Sequence, residues 1–69
     1  MNSVIVVDRQ IMSGTPVFAG TRVPAQTLIE YLEAGSSIDE FLDGFPTVSR
    51  DQVIAFLEEA KSKVLAGLS

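Results

Sequence analysis

The chain has 69 residues, a formal net charge of -4 from five Lys plus Arg against nine Asp plus Glu, and neither cysteine nor histidine. A chain this short makes a single domain, residues 1–69, and buries so small a fraction of its surface that one core is only marginally sufficient. Disulfides, thiolate metal sites and imidazole ligands are excluded as staples, so no metal and no cofactor is expected and a homodimer is the remaining source of support.

The first element in chain order is Val4-Ile5-Val6-Val7, a β-branched run of strand length. Its continuous apolarity implies burial on both faces or pairing with another chain, which makes it a candidate dimerisation strand. It lacks the basic flank and the length of a signal peptide, and no apolar run in the chain reaches a membrane span. A cytoplasmic protein without membrane contact is therefore expected. After the polar break Asp8-Arg9-Gln10, Ile11-Met12 and Val17-Phe18 flank Ser13-Gly14-Thr15-Pro16, the composition of a short hairpin connection in which Gly14 supplies a positive backbone angle. A second break at Ala19-Gly20-Thr21 turns the chain out of this strand and hairpin region, residues 1–23, toward a three-helix unit, residues 24–69.

Pro24 suits the first position of a helix, and Ala25, Leu28, Ile29 and Leu32 form one apolar stripe that Gly35 ends as a left-handed cap. Ser37 with Glu40 is a capping box, followed by Ile38, Phe41, Leu42 and Phe45 at amphipathic spacing. Gly44 and Pro46 stop that short helix. Ser49 with Gln52 forms a second capping box and opens a long helix to about Leu65, whose core face is Val53, Phe56, Leu57, Ala60 and Val64. Ile54, Leu65 and Leu68 lie beside that face and, with Val4 to Val7, are the candidate interface residues. The fold class that follows is mostly α, a three-helix homeodomain-like or helix-turn-helix core preceded by a β-hairpin.

Two capped helices joined by the turn Gly44 to Val48 match a helix-turn-helix, whose second helix presents its N-terminal residues to the major groove. They match any compact helical bundle equally well. The candidate DNA readers are Thr47, Ser49, Arg50 and Gln52. Arg bonds guanine and Gln bonds adenine, but Ser49 and Gln52 are already explained as caps, which leaves Arg50 as the residue without a structural role. The acidic balance leaves few cations for phosphate contacts, so DNA binding has to be local, dimeric or assisted by a basic partner. Lys61 and Lys63 fit the C-terminal end of a helix through its dipole. Arg22 is expected to brace the Gly20-Thr21 turn. The carboxylates Asp39 and Glu40 complement a helix N-terminus, while Glu58 and Glu59 fall off the core face and Glu58 precedes Lys61 at surface-pair spacing. Nothing forms a catalytic pattern, so an enzyme is not expected. The segment from Gly14 to Gly20 lacks the Lys and the strand-to-helix context of a phosphate-binding loop.

The string from Met12 to Pro24, SGTPVFAGTRVP at its centre, together with Ile29 to Gly35, Phe41-Leu42-Asp43-Gly44-Phe45-Pro46 and Ser49 to Leu57, resembles the domain of unknown function family 433. The resemblance runs from about Val6 to Ala60. It implies a homeodomain-like helical core with an N-terminal strand region, and the role of a VapB-type antitoxin encoded beside a PIN-like toxin. No catalytic residue carries over. The turn signature Gly14, Pro16, Gly20, Thr21, Arg22 and Pro24 does, with structural roles. The chain ends soon after the long helix, so neutralisation is expected to use the helical surface or not to occur. The resulting expectation is the antitoxin of a type II toxin-antitoxin pair, a homodimer joined through its N-terminal strands that binds its toxin and operator DNA. The other reading is a homodimeric protein-interaction module without DNA binding, in which an acidic surface and the Ile54, Leu65, Leu68 edge meet a basic partner.

Overall fold

The computed structural model describes residues 3–68, so the expected limits at 1 and 69 lie outside the described residues. In chain order these form β1 (Ile5–Val6), a short 3-10 turn (Met12–Gly14), β2 (Val17–Phe18), α1 (Ala25–Glu33), α2 (Ile38–Gly44) and α3 (Arg50–Gly67). The two strands are antiparallel, with Ile5 opposite Phe18 and Val6 opposite Val17. The fold class is the expected one, mostly helical with short N-terminal strands.

The partner of Val17-Phe18 differs from expectation, because Ile11-Met12 belongs to the connection and Ile5-Val6 supplies the strand. The reason is local turn chemistry. Asp8 accepts the Gln10 N–H on its side chain at 2.8 Å and the Ile11 N–H on its carbonyl at 2.9 Å, which reverses the chain before Ile11 can extend. Met12, Ser13 and Gly14 then all take left-handed angles, φ 49°, 57° and 88°, which no strand can accommodate. Gly14 has the positive angle expected of it, and two side chains before it share it at some conformational cost.

β2 is held on both edges. The Phe18 N–H donates to the Val23 carbonyl at 3.0 Å, and Val17 bridges to Pro24. Pro24 is the N-cap of α1, one residue before the expected helical position, and it offers no capping side chain. The Pro16 carbonyl takes that role by accepting the Ala25 N–H at 3.0 Å. At the other end, Gly35 at φ +89° lets its own N–H reach Leu32 and the Ser36 N–H reach Tyr31, the paired bonds of a Schellman motif. Both predicted capping boxes are formed, at Ser37 with Glu40 and at Ser49 with Gln52.

The helices pack in sequence, α1 on α2 and α2 on α3, around Phe18, Leu28, Phe41, Val48 and Val53. The four phenylalanines and the one tyrosine of the chain all join one cluster. Phe18 meets Phe41 and Phe56 at 6.2 and 5.8 Å between ring centroids, and Tyr31 meets Phe41 and Phe45 edge-on at 5.6 and 5.7 Å. Tyr31 takes the inward position that the apolar stripe assigns to Ile29, which is 43% exposed. On α3 the core face ends at Leu57 rather than Val64. Ala60 and everything after it up to Leu68 are exposed.

Candidate functional site

The turn after β2 is closed by backbone bonds from the Thr21 N–H to the Phe18 carbonyl and from the Phe18 N–H to the Val23 carbonyl, and one hydroxyl reinforces it. Thr21 Oγ1 donates to the Phe18 carbonyl at 2.8 Å and accepts the Val23 N–H at 3.0 Å, while Gly20 supplies φ +76°. Arg22, expected to brace this turn, does not do so: among the described residues it has no hydrogen-bond or ion-pair partner. The backbone bonds and the short polar side chain beside it are enough to close the turn, which leaves the guanidinium outside.

That exposed cation stands on the wall of an open cleft of about 680 Å³. Three parts of the chain meet there: Val6, Ile11 and Val17 of the hairpin region, the turn from Gly20 to Pro24, and Phe45 with Thr47 from the connection between α2 and α3. The wall is largely apolar. The distinctive sequence signature and the turn between α2 and α3 thus form one concave surface, although they are more than twenty residues apart in sequence. Gly14 and Pro16, the other signature positions, serve the left-handed turn and the α1 cap.

The candidate DNA readers are placed differently from one another. Thr47 is exposed on the cleft wall. Ser49 Oγ accepts the Gln52 N–H at 3.1 Å, and Gln52 Oε1 accepts the Ser49 N–H at 3.0 Å. Gln52 Nε2 also donates to the Ala19 carbonyl at 2.9 Å, so its amide is engaged at both ends. A bidentate adenine contact needs both of those ends. Arg50, the residue without a sequence-level role, acquires one by pairing with Asp39 at the start of α2. The pair is solvent-exposed and of small energetic value.

Glu59 also departs from expectation. It is half-buried and accepts the Ser3 hydroxyl at 2.9 Å and the Val4 N–H at 3.4 Å, which ties the start of the hairpin to α3. Its partners are 56 and 55 residues away, so no local pattern announces the contact. Gln52 and Glu59 sit two helical turns apart and clamp the hairpin at two points on one face. Glu58 pairs with Lys61 at 3.1 Å on the surface, as the spacing implies. Among the described residues no group of carboxylates has the geometry of a metal site, and no helix is long and apolar enough to cross a membrane.

The candidate interface residues fall in two places. Val4, Ile5 and Val6 are half-buried within the chain's own strand pair, with Val7 exposed at its end. Ile54, Leu65 and Leu68 on α3 are 45%, 55% and 78% exposed, and Val64 joins them at 62%.

The model of the family described as protein of unknown function (DUF433) matches residues 5–60. The chain belongs to this family. The DUF433 match takes in every residue of the cleft and stops where α3 leaves the core. One relative is the uncharacterized protein y4eO of Sinorhizobium fredii, 30% identical over 50 residues. The aligned part is 72% of this DUF433 chain and 23% of that protein, so the chain spans less than a quarter of the relative's length. No solved structure matches the chain significantly.

Proposed function

We propose that the chain is a protein-binding module of antitoxin type, acting in the cytoplasm as a homodimer and gripping a PIN-like toxin through the cleft beside Arg22. The observation that carries this reading is the cleft itself: an apolar concavity with Arg22 on its wall, a cation that no carboxylate among the described residues engages. Such a surface complements an apolar segment that carries acidic side chains, and a PIN-like protein has clustered carboxylates suited to Mg²⁺. A charge pair in apolar surroundings is stronger than one in water, so Arg22 contributes both affinity and orientation. The antitoxin role itself comes from the family resemblance.

Operator DNA is the second reading, supported by the helix-turn-helix layout and the exposed Thr47. The engaged side chains of Gln52 and Arg50 and the net charge of -4 weigh against it. Co-expression with the product of the adjacent reading frame separates the two. The reading expects that product to be retained on the tagged chain and no mobility shift of upstream DNA by the chain alone at low salt. Failure to retain it, with a salt-sensitive DNA shift, would replace the first reading by the second.

A further inference from the structure

Beyond the cleft, α3 carries a second apolar stripe, of which the core uses only one side of Leu57. Ile54, Leu57, Val64 and Leu68 alternate at three- and four-residue steps through Lys61, which places all five on one seam of the helix. Ile54, Val64 and Leu68 are 45%, 62% and 78% exposed, and Leu57 is half-buried with one side against the core. This is the heptad pattern of a helix that pairs with another helix, with a single polar residue in the middle of the seam.

From this pattern we infer that two copies of the chain associate through an antiparallel pairing of their α3 helices, an inference that rests on the homodimeric reading above and relocates its interface from the strands to α3. The charges set the direction. In a parallel pair each seam residue faces its own counterpart, so Lys61 would lie against Lys61 of the second copy, a like-charge contact within an apolar interface. In an antiparallel pair with Ile54 beside Val64 of the other copy, Lys61 lies beside Leu57 and next to Glu58, which already pairs with Lys61 in the same chain at 3.1 Å. Each lysine then stands among two carboxylates. A lone lysine at such a core position weakens a coiled-coil seam while selecting its register. The strand alternative is weaker because β1 is only two residues long and already pairs with β2.

The chain has no cysteine, so engineered thiols report the arrangement without background. Ile54→Cys and Val64→Cys are made on separately tagged copies, mixed in equal amounts and oxidised gently. The expected product is the mixed disulfide, at least several-fold over either self-linked species. Predominance of the self-linked species would show a parallel pair and overturn the inference. Sedimentation of the full chain provides the second measurement. Lys61→Leu should tighten the dimer about tenfold or more, and Val64→Glu should dissociate it while leaving the circular dichroism spectrum unchanged, since Val64 lies outside the core. A dimer that withstands Val64→Glu and yields no mixed disulfide keeps the homodimeric reading and defeats the α3 seam. A wild-type chain that stays monomeric at high micromolar concentration defeats both.

Discussion

Single side chains hold the hairpin on the helices, and they do so with unequal visibility in the sequence. Gln52 closes the capping box of α3 and reaches the Ala19 carbonyl. Gln52→Ala therefore removes a cap and a tertiary bond together and is expected to cost about 2 kcal/mol in urea denaturation, against well under 1 kcal/mol for Arg50→Ala, which loses an exposed pair. Equal effects would mean that the Gln52 cap and the Ala19 bond together contribute no more than an exposed ion pair. Thr21→Val should cost about 1–3 kcal/mol by leaving the Val23 N–H and the Phe18 carbonyl without the hydroxyl, while Thr21→Ser, which retains it, should stay within about 1 kcal/mol of wild type. The caps are legible from sequence because donor and acceptor lie three residues apart. Glu59 is not legible, since the hydroxyl that it binds comes from the opposite end of the chain. Arg22 is legible as a signature residue and misread as a brace, because Thr21 beside it is the shorter and sufficient partner.

At the level of elements, helices whose apolar spacing and caps agree are placed correctly from the sequence, and the errors lie where tertiary packing decides. The strand Val17-Phe18 has two apolar candidates upstream, and only the turn at Asp8 together with the left-handed Met12 and Ser13 selects Ile5-Val6 over Ile11-Met12. For α3, periodicity continues the core face to Val64, but the last turns run past the core and are exposed. This difference is measurable. Phe41, fully buried at the centre of the aromatic cluster, should cost about 3–5 kcal/mol as Phe41→Ala, a large share of the stability of a domain this size. Val64→Ala should leave the stability of the single subunit nearly unchanged, within about 0.5 kcal/mol in chemical denaturation at a concentration too low for association. A cost near that of Phe41→Ala would place Val64 in the core after all.

At the scale of the whole molecule, the described residues include an apolar cleft beside Arg22 and an exposed apolar stripe along α3, and on a chain of net charge -4 both are better suited to protein than to nucleic acid. The cleft was half legible: the signature Gly20-Thr21-Arg22-Val23-Pro24 stands out in the sequence, yet only folding brings it against Phe45 and Thr47. Two of the three arginines divide the possible functions between them. Arg22 belongs to the cleft, and Arg50 opens the helix that a DNA-binding protein would insert. The most direct measurement is the affinity of the co-expressed partner for Arg22→Glu and Arg50→Glu chains, each first verified as folded by its thermal melt. A loss of tenfold or more for Arg22→Glu with near wild-type binding by Arg50→Glu is the predicted result, and the opposite order would contradict the assignment of function to the cleft.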